Sequence, residues 1–466
     1  MQKQAEKNIS EVSLMQMLNI REKRAHYQKQ LIFKYQKPLI CFTMNAAGPI
    51  KNSPFLKRGF QAGLNDLKLQ LKRINAEIIF EDIWDEITGN EAFLVVKENA
   101  NTLKEICCGI EDADDLGRLF DMDVLVPVSD ASASFIKIDR SDLKKESRRC
   151  LLCSRPAKEC SSRRIHSVRE LQEKTKHILS DSLRKRDSEN IASLAVRSLL
   201  YEVSVTPKPG LVDRNNSGSH KDMNFYSFLN SASALWPYFK KCTELGINFS
   251  NTQNPCDLMP HLRKIGKTAE EKMLHATNGV NTHKGAIFSM GIVCAAIGAV
   301  DPSDRANAAA ILEKCSAITK GISNSDYAGL TKGTAKTTGQ KLYLKYGIKG
   351  VRGEMEEGLP SVRDYGFPTL EKLLAEGYEE DEAGAFTLIA ILAHSTDTNL
   401  IARSDRQTQL ACSAFAENFL KSSPSTELLK KADVAFIEKN LSPGGSADLL
   451  AVSWMLHFVT TEPLLH

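Results

Sequence analysis

Residues 117–126 read Gly-Arg-Leu-Phe-Asp-Met-Asp-Val-Leu-Val, and from Phe120 onward apolar and polar side chains alternate with the period of two of a β-strand. Successive strand side chains point to opposite faces, so Asp121 and Asp123 fall on one face. Two carboxylates that close can hold a divalent metal, which in phosphoryl transfer neutralises phosphate charge and polarises the attacking and leaving oxygens. The same spacing also describes an exposed strand face with two solvated acids. Upstream, PLICFTMN (38–45) and AEIIFEDI (76–83) read as further strands, and LNDLKLQLKRIN (64–75) carries apolar residues at helical spacing. The first part of the chain is therefore expected to be α+β or α/β, built on a mixed sheet.

Beyond Lys174 the pattern changes. The charged stretch LRKRDSEN (183–190) leads into IASLAVRSLLYEV (191–203), AAAILEKCSAI (308–318) and AGAFTLIAILAH (383–394), which have helical periodicity and few β-branched runs. A mostly all-α second domain is expected. The boundary is placed near residue 180, dividing the chain into 1–180 and 181–466, with DSLRKRDSEN (181–190) as a linker or the capped start of a helix.

A chain of 466 residues, 42% of them hydrophobic, is long enough for two or three cores. With 25% charged residues and a formal charge of +4, nothing in the bulk balance calls for nucleic acid or an anionic membrane. The N-terminus lacks the continuous apolar core and cleavage site of a signal peptide, so a cytoplasmic protein is expected. The uncharged stretch Gly285 to Val300 spans 16 residues, short of the roughly 20 that cross a bilayer, and reads as a buried helix. Eleven cysteines without secretory context imply free thiols in a reducing compartment.

Two further features surround the aspartate pair. Thr43-Met44-Asn45-Ala46-Ala47-Gly48-Pro49-Ile50-Lys51 follows an apolar strand and ends in a Gly-Pro turn with a Lys, which suits a phosphate-facing loop or an ordinary turn. Residues 148–164, RRCLLCSRPAKECSSRR, hold six basic residues against one Glu, a patch for an acidic or polyphosphate partner. Cys150, Cys153, Cys160 and His166 include a properly spaced CxxC half of a zinc site. The other half departs from common finger spacings, so ordinary thiols are the preferred reading.

GRLFDMDVL followed by RRCLLCSRPAKECSSRRIHS resembles the citrate lyase holo-protein synthase family over roughly residues 10–180. That resemblance implies a nucleotidyltransferase-like domain that transfers a phosphoribosyl-dephospho-CoA group to a serine of the lyase's acyl carrier subunit and releases pyrophosphate. It gives Asp121 and Asp123 a task as catalytic, magnesium-binding residues on the donor's triphosphate.

In the second part, polar clusters punctuate the helices. Glu202 and Pro207-Lys208-Pro209-Gly210-Leu211-Val212-Asp213-Arg214 follow an apolar helix, and two prolines with a glycine force a rigid turn that can clamp an anion. His220 and Asp222 follow shortly, before the apparent helix FYSFLNSASAL (225–235). Asn281 or Thr282 can cap a helix from Ala286 to Ala299, whose N-terminus, with His283 and Lys284 beside it, offers free N–H groups to phosphate. Gly350-Val351-Arg352-Gly353-Glu354 reads as a turn with a cation and a carboxylate, and Asp397-Thr398-Asn399 as the C-terminus of AGAFTLIAILAH.

PKPGLVDRNNSGSHKDM, GVNTHKGAIFSMG, GVRGE and DTN, in this order, resemble the triphosphoribosyl-dephospho-CoA synthase family from about residue 188 to the C-terminus. That family joins ATP and 3′-dephospho-CoA through a ribosyl bond and expels adenine, with magnesium on the triphosphate. Breaking an N-glycosidic bond builds positive charge on the ribose, adenine must leave protonated or hydrogen-bonded, and the incoming hydroxyl needs a base. Lys208, Arg214, Lys284 and Arg352, with Asn281, Thr282 and Glu354, are expected to bind the nucleotide. Glu202, Asp222 and Asp397 are the candidates for metal or base, and His220 and His283 for proton transfer. The two resemblances reinforce each other, since one domain's product is the other's donor. The rival reading is a nucleotidyltransferase fused to an ADP-ribose-type glycohydrolase. The equivalent system for malonate decarboxylase is a further alternative.

Overall fold

A computed structural model describes residues 10–128, 135–249, 254–422 and 424–462. Its internal contacts fall into two units that meet in sequence between Arg186 and Asp187.

In the first unit the apolar runs form β1 (Leu39–Met44), β2 (Glu77–Glu86), β3 (Gly89–Lys97), β4 (Phe120–Pro127) and β5 (Phe135–Ile138). They stand in the order β2-β3-β1-β4-β5, and every pairing is antiparallel, which corrects the expected mixed sheet. The reason lies in the crossovers. Helix Pro54–Arg73 carries the chain from β1 to β2, and helix Ala100–Ala113 from β3 to β4. Each joined pair does run parallel, but β3 fills the slot between β1 and β2, and β1 the slot between β3 and β4. The strand-helix-strand rhythm is present, yet hydrogen-bonded neighbours are antiparallel, a split βαβ arrangement.

Both crossover helices cover one face, where Phe42, Leu94, Phe120 and Met122 meet Phe60, Leu64, Leu67 and Leu103. Gly63 allows the close approach, since a Cβ there would lie 2.6 Å from Phe42 Cζ. The opposite face carries Leu39, Cys41, Phe93, Val95 and Leu125 beneath helix Leu14–Tyr35, which contributes Leu31 and Ile32. That helix is fixed at its start by a capping box in which Ser13 and Gln16 bond each other's backbone N–H. Strand alternation puts Asp121 and Asp123 on this second face, so helix Leu14–Tyr35 decides what they meet.

Among the described residues the second unit is helix and loop. Helices Lys284–Ala299, Glu380–His394 and Gly444–Thr461 are buried nearly all round and form its centre. The expected buried helix at Gly285–Val300 is found. Gly246 of helix Phe225–Asn248 and Gly298 bring two backbones into contact: a Cβ at Gly246 would lie 2.0 Å from Ala295 O, and one at Gly298 2.4 Å from Thr243 O.

DSLRKRDSEN is neither linker nor helix start. It lies inside helix Val168–Ser204, and its charges are consumed within the two units. Arg186 bonds Asp66 (2.8 Å) and Asp114 (3.0 Å), while Asp187 accepts from buried Arg305 (2.6 Å). Two adjacent members of the charged run, Arg186 and Asp187, are thus each paired with groups far away in sequence. No helix among the described residues is long and apolar enough to cross a membrane.

Candidate active sites

On β4, Asp121 and Asp123 are half-buried between buried neighbours. The register sets Thr43 of β1 opposite Asp121 and Glu91 of β3 opposite Thr43, so Glu91, Thr43 and Asp121 form a row across the sheet. A cleft of about 180 Å³ opens over this row, lined among others by Asn45, Lys51, Arg21, Arg24, Glu91 and Asp121. The Gly48-Pro49 turn thus brings Lys51 to the same cleft as Asp121. Its ammonium donates to Ala46 O, and loss of water, then the charge of Arg21, lower its pKa. Arg24 Nε donates to Glu91 Oε2 (2.7 Å), Lys137 pairs with Asp123 (2.6 Å), and Arg148 stands 4.0 Å from Asp121. Burial, and then the like charge of Asp123, raise the Asp121 carboxyl above its ordinary range.

Downstream, Cys150, Cys153, Cys160 and His166 converge, their ligand atoms all within 4.8 Å of one another. The irregular spacing does not keep the four apart, because a short helix, Ala157–Ser162, takes up residues between the second and third cysteines, and the three thiols are free.

In the second unit the Pro207-Lys208-Pro209-Gly210 turn is held from two sides. Asp213 Oδ2 accepts Lys208 N–H (3.1 Å), and Asp433 Oδ1 accepts Gly210 N–H (2.8 Å). Gly210, at φ +71°, packs so closely that a Cβ would lie 2.2 Å from Leu441 O. Lys208 is not open to a phosphate. It is buried, with Nζ bonded to the Glu202 carboxylate and to Glu202 O (2.6 Å). The expected cation and the expected metal carboxylate satisfy each other, because a buried charge left alone is costly. Arg214 is exposed and paired with Asp381, and Asp222 is exposed. His220 is half-buried. Arg403 donates to its Nδ1 (3.0 Å), which leaves Nε2 to donate to Ser442 Oγ (3.0 Å), and burial followed by the Arg403 charge lowers its pKa.

Asn281 Oδ1 accepts the N–H of Lys284 (3.2 Å) at the start of helix Lys284–Ala299, and Lys284 Nζ pairs with Glu270 (2.9 Å). His283 is buried, its Nδ1 2.7 Å from Ser231 Oγ and its ring edge-on to Phe228. Its Nε2 and the Oγ1 of Thr282 are buried without a hydrogen-bond partner. Loss of water, and then the Lys208 charge, hold the imidazole down to about 3, so it is neutral at physiological pH. The unfolded chain therefore takes a proton near pH 6.5 that the folded chain refuses, and this contribution to stability is lost as pH falls from about 6.5 towards 3. Between pH 7.5 and 5 the His283→Asn variant should lose about 2 kcal/mol less stability than the parent chain, read from urea unfolding at each pH.

GVRGE is a short helix, Val351–Glu356, rather than a turn. Arg352 Nε bonds Asp326 Oδ2 (2.6 Å) and the guanidinium lies near the Phe288 and Tyr327 rings, while Glu354 accepts from Ser361 Oγ (2.7 Å). Gly350 rests on Thr398, 3.2 Å from its Cγ2 if a Cβ were present. Asp397 does not end the helix before it but caps the next one, Thr398–Arg403: Oδ1 accepts from Asn399 and Leu400 N–H (2.9 and 3.1 Å), and Oδ2 from Ser446 N–H and Oγ (2.7 and 3.0 Å).

Sequence reasoning missed Asp448. Ser442-Pro443-Gly444-Gly445-Ser446-Ala447-Asp448 opens helix Gly444–Thr461, and the Asp448 carboxylate accepts Ala286 N–H in the first turn of helix Lys284–Ala299. A Cβ on Gly285 would lie 1.8 Å from its Oδ2. Burial, then the neighbouring Glu202 and Asp397, push its pKa well above the ordinary carboxylate range. The signal was the Gly pair: a Cβ at Gly445 would come within 3.1 Å of Asp397 Oδ2, so small residues there make room for the carboxylates. Glu91, Arg21 and Arg24 were missed as well, and no local motif marks them.

Two units, each gathering carboxylates and cations from segments remote in sequence, correspond to two families of group-transferring enzymes. Residues 12–182 match the family described as apo-citrate lyase phosphoribosyl-dephospho-CoA transferase, and residues 188–463 that described as ATP:dephospho-CoA triphosphoribosyl transferase. Protein CitXG of Leuconostoc mesenteroides is 34% identical over 96% of this chain and 97% of its own length, and Protein CitXG of Haemophilus influenzae 33% over 95% and 96%. The 2-(5''-triphosphoribosyl)-3'-dephosphocoenzyme-A synthase of Pectobacterium atrosepticum is 36% identical over 59% of the chain and 90% of its own length. The chain belongs to the family that fuses these two transferases, and it both makes the triphosphoribosyl-dephospho-CoA donor and transfers its phosphoribosyl-dephospho-CoA group to apo-citrate lyase.

Proposed function

We propose that the second unit attaches the triphosphoribosyl group of ATP to the ribose of 3′-dephospho-CoA with loss of adenine. The first unit then acts as a nucleotidyltransferase on a serine of the acyl carrier subunit of citrate lyase, in the cytoplasm, releasing pyrophosphate. The observation that carries this reading is convergence. Glu202, which holds Lys208 of PKPG, Gly285 of THKG and Asp397 of DTN are remote in sequence from SPGGSAD, yet all are neighbours of the Asp448 carboxyl.

In the first unit, Asp121 and Asp123 fit a magnesium ion: they are hard oxygen donors on one strand face, and each other's charge makes a cation welcome. Bound there, the ion supplies charge neutralisation for the donor's triphosphate. Lys51, Arg21 and Arg24 hold phosphate oxygens at the cleft, and Glu91 orients Arg24. In the second unit, Arg214, Lys284 and Arg352 bind the triphosphate of ATP, with Asn281 and Thr282 at the helix start and Glu354 fixing the turn of chain after Arg352. Lys208 and Glu202 position the site through their buried pair. Asp448, whose environment retains its proton, protonates the departing adenine, and Asp397 holds the start of the Asp448 helix in place. The bare Nε2 of neutral His283 accepts a hydrogen bond from the incoming hydroxyl and orients it. His220, half-buried, and Asp222, exposed and close enough to act on its charge, are assigned to the coenzyme and to a second ion respectively.

The test is to incubate the purified chain with ATP, magnesium and 3′-dephospho-CoA, then add the apo-carrier subunit. Free adenine with the mass of the triphosphoribosyl adduct, followed by carrier labelling and pyrophosphate, is the expected result. Adenine without adduct would move the second unit to the glycohydrolase reading, and no turnover by a folded chain would overturn the proposal.

A further inference from the structure

From Lys144 to Glu170 only two side chains are buried, and both are cysteines, Cys150 and Cys160. A segment so poor in apolar burial has little of its own to offset the entropy of ordering its backbone. Its geometry is nevertheless well defined. Arg149 and Pro156 bridge, Cys150 N–H donates to Arg155 O (2.8 Å) and Ala157 N–H to Arg148 O (2.7 Å), closing a tight knuckle around Cys150 and Cys153. Helix Ala157–Ser162 then presents Cys160, and Ile165 N–H returns to Cys160 O (3.1 Å), which brings His166 round to the same point.

We propose that Cys150, Cys153 and Cys160 Sγ with His166 Nε2 bind one zinc ion, which holds the basic segment folded against the start of β4. Cys153 Sγ lies 3.4 Å from Cys160 Sγ and 3.4 Å from His166 Nε2, and all four ligand atoms fall within 4.8 Å of one another. Tetrahedral zinc with Zn–S near ~2.3 Å and Zn–N near ~2.0 Å holds its ligands about 3.5–3.8 Å apart, so the cluster needs only a small adjustment to accept the ion. A disulfide, by contrast, needs its sulfurs at about 2.05 Å. Three sulfurs and an imidazole are a donor set for zinc rather than for magnesium, which prefers oxygen. On binding, the three thiols release their protons to solvent and no electron changes hands. The complex carries one net negative charge, set among Arg148, Arg149, Arg155, Lys158, Arg163 and Arg164.

The ion would act on the transfer site by position. Arg118 Nη2 donates to Cys150 O (2.7 Å), and Arg148, two residues before the first ligand, donates to Phe120 O and Arg118 O (2.8 Å) while standing 4.0 Å from Asp121. The zinc knuckle thus fixes the guanidinium nearest to the Asp121 carboxylate.

The full chain, purified with reductant and without chelator, should carry about one zinc per chain by plasma mass spectrometry. Cobalt in its place should give the thiolate-to-metal charge-transfer band and the strong visible bands of a tetrahedral site. Cys153→Ser and His166→Ala should each fall to a small fraction of that zinc content, with adenine release by the second unit retained as a control for folding. If Cys153→Ser fails to fold, the parent chain still decides the matter: seven other cysteines are buried in any case, and phenanthroline should make three further thiols, Cys150, Cys153 and Cys160, open to native-state titration. A zinc-grown parent chain that is metal-free, with those thiols reacting at once or joined as a Cys153–Cys160 disulfide, would overturn the proposal.

Discussion

Replacing Asp121 with Asn lowers labelling of the carrier subunit by about 10³-fold, while adenine release from ATP and 3′-dephospho-CoA continues at the rate of the parent chain. Asn preserves the shape of the side chain on β4, so the sheet and both of its covering layers are kept. What is lost is one of two adjacent negative charges at a cleft rich in cations. The variant should be assayed with preformed triphosphoribosyl-dephospho-CoA, so that a failure of donor supply cannot be mistaken for a failure of transfer. Equal loss of both reactions would sink the assignment of the two activities to separate units. Asp123→Asn should show the same pattern to a smaller degree, because its charge is already countered by Lys137 at 2.6 Å.

Asp448→Asn should show the opposite separation: adenine release falls by about 10²- to 10³-fold, and transfer from supplied donor is unchanged. Its stability should also behave in an informative way. The folded state raises the carboxyl's pKa, so it keeps a proton that the unfolded chain has given up, and stability declines as pH rises from near 3.8 through the folded-state value. Asn never ionises, so at pH 8 the variant should be at least as stable as the parent, measured by urea midpoint. A group that costs stability and supports rate is the signature of a functional carboxylate. Lower stability together with normal adenine release would show that Asp448 serves only packing.

How much of this was legible in the sequence depended on the range of the interaction. The face shared by Asp121 and Asp123 follows from a local period of two, and the buried helix at Gly285–Val300 from an unbroken apolar run. Both are properties of neighbouring residues. The antiparallel order was not legible, because strand-helix-strand is the same text whether or not a third strand slips between the joined pair. Glu91 and Arg24 meet across 67 positions, and nothing beside either residue announces the other. Lys208 looked like a ligand for phosphate because a turn with Pro, Lys and Gly is commonly exposed; only packing shows the ammonium turned inward to Glu202. The four zinc-type ligands were visible as residue types, but the helix that brings Cys160 back to the knuckle had to be folded before their spacing made sense. Asp448 was hidden for the converse reason: one acid at the head of an apolar helix resembles ordinary N-terminal charge.

The cations proposed to hold the triphosphate in the second unit share one feature: Arg214, Lys284 and Arg352 are each engaged already, by Asp381, Glu270 and Asp326. A nucleotide arriving there exchanges partners with three carboxylates instead of meeting bare charge, and those carboxylates wait to reclaim their cations. On the proposed role of these three cations, nucleotide binding is an exchange of ion-pair partners, and because the Arg214 and Lys284 pairs are largely exposed, that exchange gives up little.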